Sequence, residues 1–163
     1  MKFSNFPYKS VLVVCSVNTA RSPMAVGYLK HFFDENKIKA KVNSGGISSH
    51  ARDGMLISLD AKLAMEEEGI FLPEKYVSVD LKKHPELIQG ADLILTLTSN
   101  HKEEILQYVD GGQKKVFTLS EFAGEIGDIE DPSMKGLEGF RHVRDQIKTY
   151  LIKGILKVCD DNA

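Results

Sequence analysis

The rest of the chain is organised around Ser10-Val-Leu-Val-Val-Cys-Ser-Val-Asn-Thr-Ala-Arg-Ser-Pro-Met24, in which a polar loop joins an apolar run to a helix start. The run Val11 to Val14 is typical of a strand buried on both faces. Ser22-Pro23 has the pattern of an N-cap followed by proline at the first helical position, where the missing N–H costs nothing. The segment predicts a loop over residues 16–21 between a strand's carboxyl end and a helix N-terminus.

A loop in this position is suited to binding a phosphate. Backbone N–H groups converge there, and the helix dipole adds positive potential. Cys15 lies at the base of the loop, where the same field favours the nucleophilic thiolate. Arg21 offers a planar fork of donors that can hold two phosphoryl oxygens at once, as lysine could not. We expect Cys15 and Arg21 to be catalytic. The residues expected to bind the substrate are Ser16, Val17, Asn18, Thr19, Ala20 and Ser22.

A simpler interpretation treats Cys15 as an ordinary buried cysteine and Arg21 as a surface residue of the first helical turn. The context favours the phosphate loop, because a strand precedes the cysteine and a cap signal follows the arginine. Asn18 agrees with it, since asparagine is the non-glycine residue best able to adopt a left-handed conformation in a tight loop.

Length, charge and cysteine content narrow the class of protein. A chain of 163 residues predicts one domain, residues 1–163, with residues 1–9 as a short N-terminal extension. Lysine and arginine number 21 against 23 acidic residues, so no basic field favours nucleic acid or an anionic membrane as a partner. The two cysteines lack the spacing of a disulfide framework or a zinc site. Without a signal peptide or membrane-spanning stretch, we expect a soluble, cytoplasmic protein, and the oligomeric state stays open.

Predicted strands alternate with predicted helices along the chain. Further strands are predicted over 39–43, 91–97 and 115–119, with a turn at 43–46, and helices over 23–35, 56–68, 99–109 and 137–158. Leu56, Leu59, Leu63 and Ala64 are expected on the buried face of the second helix, and Gly154 is expected to weaken the last one. Residues 110–112 should end the third helix, and residues 120–136 should form a long loop. The alternation predicts a three-layer, doubly wound α/β fold around a four-stranded parallel sheet, with the phosphate loop after strand 1.

A carboxylic acid is needed to protonate the leaving group as a cysteinyl-phosphate forms. Asp131-Pro132 lies in the long acidic loop after the fourth strand, and proline restricts the backbone just after the carboxylate. We expect Asp131 to be the catalytic acid, with Asp128 and Glu130 as lesser candidates.

Three segments together resemble the low-molecular-weight protein tyrosine phosphatases. They are Cys15 to Ala25, the Asn43-Ser-Gly45 turn, and Asp131-Pro132 after the Lys115 to Leu119 strand. The resemblance implies Cys15 as nucleophile, Arg21 as phosphate clamp and Asp131 as acid and then base. It also implies Ser22 as a hydroxyl that steadies the thiolate, Asn18 as a conformational lock, and no metal or cofactor. The expected function is a cysteine-dependent phosphoprotein phosphatase, by family default a protein-tyrosine phosphatase acting on a phosphorylated protein or peptide.

The chain departs from the family pattern at three places. Val17 stands where the family usually has glycine, and a β-branched residue would be strained there if the position required positive φ. Ala20 stands where a second cysteine is frequent, so an intra-loop disulfide is not available. Ser133 and Met134 follow Asp131-Pro132, where many tyrosine-specific members carry aromatic residues.

Three other functions are weighed against phosphotyrosine hydrolysis. Thr19 matches a branch of the family that acts on phosphoarginine, where tyrosine-specific members usually have an apolar residue. Arsenate reduction shares the fold and loop but requires further cysteines that this chain lacks. A non-catalytic anion-binding role is favoured only by Val17.

Overall fold

The computed structural model describes residues 2–110 and 115–161. Its four parallel strands are β1 (Ser10–Cys15), β2 (Lys41–Gly46), β3 (Leu93–Thr96) and β4 (Lys115–Thr118), in the order β2-β1-β3-β4. The helices are α1 (Arg21–Glu35), α2 (Leu59–Glu66), α3 (Pro85–Gln89), α4 (Ser99–Leu106), α5 (Leu119–Ala123) and α6 (Gly136–Asp161), with a 3-10 turn at Leu81–Lys83. The predicted fold class, a four-stranded parallel α/β sheet, is confirmed.

Successive side chains of β1 point to opposite faces of the sheet, and helices cover both faces, which gives three layers. Val11 and Val13 face one side of the sheet, in the core that α1, α2, α5 and α6 cover. Leu12 and Val14 face the other side, where they pack with residues of α3 and α4 such as Ile88. A strand with both faces buried has to be apolar throughout, as this run is.

The N-caps of two helices are not the residues that the sequence predicts, so the helix boundaries differ from the prediction. α1 begins at Arg21, and Ala20 at the N-cap makes no side-chain bond, so Ser22 is not the cap. Thr98, not Ser99, caps α4 by accepting a hydrogen bond from His101 N. Residues 43–46 belong to β2 and do not form a turn outside it. The predicted end of the third helix at 110–112 falls after α4 has ended at Leu106, and 111–112 lie outside the described residues.

Part of the predicted long loop is helical. α5 begins with a capping box in which Thr118 and Glu121 satisfy each other's backbone N–H groups. α6 packs closely on α5, because a Cβ at Gly154 would lie 2.0 Å from Phe122 Cδ2. Gly154 therefore serves the packing of α6 and does not simply weaken it.

The predicted buried face of α2 was wrong for its leucines. Ser58 caps the helix, which begins only at Leu59, and the buried residues are Ala61, Ala64 and Met65. The large apolar side chains of Leu56, Leu59 and Leu63 are exposed instead. Among the described residues, the helices are too short or too polar to cross a bilayer.

Candidate active site

The residues after Cys15 form a loop that β2 supports from the side. β1 ends at Cys15, and α1 begins at Arg21, so residues 16–20 connect them. Gly46 lies against this loop, since a Cβ there would stand 2.6 Å from Ser16 O and 2.8 Å from Val17 Cα. Ile47 N also donates to Cys15 O at 3.1 Å. The carboxyl ends of β1 and β2 thus meet at the loop, as expected for parallel strands.

Asn18 stabilises the loop through its backbone and its side chain. Its φ is 65°, the left-handed region that asparagine tolerates. Its backbone N–H donates to Cys15 Sγ at 3.2 Å, and its amide Nδ2 donates to Ser44 Oγ at 2.9 Å. Its Oδ1 accepts from Val79 N at 3.0 Å, which determines the orientation of the amide. The side chain is fully buried.

The strain anticipated at Val17 does not arise. Among the described non-glycine residues, those with positive φ are Asn5, Asn18, Lys37 and Met134. Asn18 carries the left-handed turn of the loop, so the neighbouring β-branched residue stays in an ordinary conformation.

Ser22 lies in the first turn of α1, where its hydroxyl faces the cysteine. Ser22 Oγ is 2.9 Å from Cys15 Sγ and accepts from Asn18 Nδ2 at 2.7 Å. Because Asn18 donates to this oxygen, the hydroxyl hydrogen is available to stabilise a thiolate. Ser22 is fully buried, and its hydroxyl is directed at the sulfur and not at the N-terminus of α1.

Tyr76 belongs to the same network, although no pattern in the sequence pointed to it. Its hydroxyl forms a short hydrogen bond with Ser44 Oγ, which in turn accepts from Asn18 Nδ2. Burial raises the pKa of Tyr76 to about 12, so the hydroxyl stays protonated at neutral pH. The aromatic residue lies in a polar, irregular segment, and only the tertiary structure places it against β2.

Arg21 connects the loop to the acidic segment that follows α5. Arg21 is only 7% exposed, and its Nη1 donates to Ile129 O at 2.9 Å. Ile129 N in turn donates to Leu97 O, just after β3. These bonds bring residues 129–131 to the same edge of the sheet as Cys15.

Asp131 lies on the solvent side of this segment. Its Oδ1 accepts a hydrogen bond from Ser133 N at 2.9 Å. Partial burial raises the pKa of Asp131, but the hydrogen bonds from Ser133 and the charge of Arg21 outweigh it, so the pKa is lower than usual. The two lesser candidates are engaged elsewhere, Asp128 with Ser99 N at 2.8 Å and Glu130 with Lys135 Nζ at 2.6 Å.

His101 is a second group that the sequence did not point to. It is buried in the first turn of α4, and within the described chain its Nδ1 has no hydrogen-bond partner. Burial, assisted by the charge of Arg21, lowers the pKa of His101 to about 4, although Asp128 and Asp131 act in the opposite direction. A neutral imidazole therefore lies near the acidic segment. Within the described residues no group of three or more histidine, cysteine or acidic side chains is arranged to hold a metal ion.

Known proteins are similar to this chain along most of its length. Residues 10–161 match the family described as low molecular weight phosphotyrosine protein phosphatase. The chain is 37% identical over 146 residues to a protein-arginine-phosphatase of Geobacillus stearothermophilus, covering 89% of this chain and 92% of the relative. It is 34% identical over 142 residues to the low molecular weight protein-tyrosine-phosphatase PtpB of Staphylococcus haemolyticus, covering 87% and 94%.

Solved structures agree with these relatives. The YwlE arginine phosphatase of Geobacillus stearothermophilus has a TM-score of 0.80 at 35% identity, over 95% of each chain. A YwlE mutant whose active-site serine is phosphorylated has a TM-score of 0.83 at 30% identity, over 93% of this chain and 97% of that one.

The parallel sheet and the cysteine at the base of its first loop define a cysteine-dependent phosphatase. The chain belongs to the low molecular weight phosphotyrosine protein phosphatase family. It is therefore a phosphoric monoester hydrolase by class.

Proposed function

We propose that this protein dephosphorylates phosphorylated proteins through a cysteinyl-phosphate at Cys15, and that phosphoarginine is its preferred substrate. One observation carries the mechanism: Cys15 Sγ is 2.9 Å from Ser22 Oγ and accepts the backbone N–H of Asn18. Two donors aimed at one sulfur stabilise the thiolate that has to attack.

The proposed mechanism has two steps. The Sγ lone pair attacks phosphorus, the S–P bond forms, and the bond from phosphorus to the leaving atom breaks as Asp131 donates its proton to that atom. Arg21 holds two of the three phosphoryl oxygens that become equatorial. In the second step Asp131 takes a proton from water, which attacks phosphorus and releases Cys15 and phosphate.

Substrate binding supplies the protonated acid. Arg21 helps to keep the pKa of Asp131 low in the free protein. A bound phosphoryl dianion neutralises that positive charge and adds negative charge of its own, so it raises the pKa of the carboxyl. Asp131 therefore takes up its proton in the complex, where it is needed.

The surroundings of the loop favour phosphoarginine over phosphotyrosine. Thr19 is partly exposed in the loop and offers a hydroxyl to a polar guanidinium. Ser133 and Met134 are exposed after Asp131, where a phenol ring would need aromatic walls. The matched relatives carry both names, so phosphotyrosine is the second candidate.

Two matched peptides test the proposal, one with phosphoarginine and one with phosphotyrosine at the same position. We expect the phosphoarginine peptide to have the higher kcat/KM, and Thr19→Ile to lower it about ten- to a hundredfold while phosphotyrosine turnover is unchanged or rises. The control is Thr149→Ile, at an exposed position of α6. Equal losses on both peptides would show that Thr19 is only structural. Turnover by Cys15→Ser would exclude the cysteinyl-phosphate.

A further inference from the structure

A group of exposed apolar side chains lies beside the phosphate loop. Leu56 is 77% and Leu59 is 69% exposed, and Leu63 and Val77 are 37% and 38% exposed. Leu56 and Val77 pair in an antiparallel bridge, and Leu59 and Leu63 are one turn apart on α2. These four residues are called the leucine patch. Single exposed leucines are ordinary, but neighbouring ones on a small domain are typical of an interaction site.

The leucine patch is joined to the loop by a backbone hydrogen bond. Ser58 N donates to Thr19 O at 2.8 Å, and Ser58 is the residue before Leu59. Ser58 Oγ also accepts from Ala61 N, which holds the start of α2 in place. Consecutive Cα atoms are about 3.8 Å apart, so the patch begins within two residues of the Thr19 contact.

The packing of α2 does not need these leucines. The helix already buries Ala61, Ala64 and Met65 against the core. Leu56 and Leu59 instead face solvent, and the hydrogen bond between Ser58 and Thr19 places them next to the loop. The nucleophile itself is buried at the base of the loop, with 3% of Cys15 exposed. A phosphorylated side chain has to reach inward to Cys15 while its own backbone stays on the rim.

We propose that the leucine patch docks apolar residues that flank the phosphorylated residue of a protein substrate. This inference rests on the proposed function, because it makes the occupant the substrate polypeptide. The occupant is chosen because the patch continues the rim of the loop over which that polypeptide must run. Apolar side chains there lose contact with water when they cover Leu56 and Leu59.

Binding and turnover of paired peptides test it. Both peptides carry phosphoarginine, one with leucine and valine as neighbours and the other with serine and glycine. In the Cys15→Ser background, which removes turnover, we expect the leucine-flanked peptide to bind more tightly. Adding Leu56→Ser and Leu59→Ser should weaken its binding about tenfold and leave the serine-flanked peptide unchanged. Leu106→Ser with Ile126→Ser, at exposed positions on α4 and after α5, is the matched control.

The active protein with Leu56→Ser and Leu59→Ser should hydrolyse p-nitrophenyl phosphate as the parent does, while its KM for the leucine-flanked peptide rises by the same factor. Equal affinities of the two peptides, or a loss that the control variant shares, would overturn the docking proposal. A dimer of the parent in solution that the two substitutions dissociate would also overturn it, by making the patch a contact between copies. If the parent hydrolysed neither p-nitrophenyl phosphate nor either peptide, only the proposed function would be overturned. The docking proposal would stand, because the affinities are measured without turnover.

Discussion

Asn18 Nδ2 donates a hydrogen bond to Ser22 Oγ at 2.7 Å, and that same oxygen lies 2.9 Å from Cys15 Sγ. A residue of the loop therefore orients a hydroxyl of the helix toward the sulfur. The amide of Asn18 is itself held by Ser44 and by the backbone of Val79, both outside the loop. The geometry around Cys15 depends on β2 and the segment after α2 as much as on the loop.

Substitution of Arg21 by lysine should reduce kcat at least about a hundredfold, because a point charge cannot hold two phosphoryl oxygens in one plane. Lysine would also lack a second donor group to hold Ile129 O while binding phosphate. Steady-state hydrolysis of p-nitrophenyl phosphate measures the effect. Arg141→Lys, in a surface ion pair with Glu67, is the control and should be nearly silent. If Arg21→Lys kept most of the parent rate, Arg21 would not act by holding two phosphoryl oxygens.

Replacing Tyr76 by phenylalanine tests whether the Tyr76 hydroxyl influences Cys15 through Ser44 and Asn18. The change leaves the ring in place but removes the hydrogen bond to Ser44, so the amide of Asn18 is held less firmly. We expect kcat to fall about three- to tenfold with little change in KM, and the rate of Cys15 alkylation by iodoacetamide to fall with it. Tyr108→Phe, on an exposed ring, should change neither rate. If both variants behave like the parent, the hydroxyl does not influence the cysteine.

His101 should make the fold sensitive to mild acid. Burial, together with Arg21, lowers its pKa to about 4 from an ordinary 6.5. Below pH 6.5 the unfolded chain therefore takes up a proton that the folded chain does not, so stability is lost as pH falls toward 4. Between pH 7 and pH 5, His101 should lower the free energy of unfolding by about 2 kcal/mol.

Urea unfolding at the two pH values measures that cost. Over this pH range the free energy of unfolding should fall by about 2 kcal/mol more for the parent than for His101→Leu, since the other titrating groups contribute equally to both proteins. His50→Leu, at an exposed position, should follow the parent. Identical pH dependence of the parent and His101→Leu would mean that the imidazole is not held neutral by the fold.

Alanine at position 154 should destabilise the protein even though it favours helix. In an open helix the change from glycine would gain about 1 kcal/mol. Here the new Cβ would lie 2.0 Å from Phe122 Cδ2, and such overpacking costs about 1–3 kcal/mol. Thermal unfolding should show a lower Tm for Gly154→Ala, and the loss should be smaller when Phe122→Leu is also present. A Tm above that of the parent would show that α5 shifts away from α6 without loss of stability.

Local patterns in the sequence were sufficient for the order of the four strands and for the loop after Cys15, but not for α3 and α5. The apolar run from Val11, the cysteine that ends it and the arginine six residues later are neighbours in the chain, so strand, loop and helix dipole follow from short-range geometry. The alternation of strands and helices then favours one parallel sheet. The choice of Asp131 came from its place after β4, and its catalytic role stays a prediction.

The tertiary structure alone decided which distant groups support that loop. Tyr76, Ser44 and His101 lie 29 or more residues from Cys15 in the sequence, and no periodicity marks contacts between segments so far apart. The leucines around α2 were expected inside because their spacing is helical. Ser58 caps that helix, which begins only at Leu59, and Ala61, Ala64 and Met65 fill the space against the core. Hydrophobic spacing shows that a helix has an apolar face, but only the packing of its neighbours determines whether that face is buried.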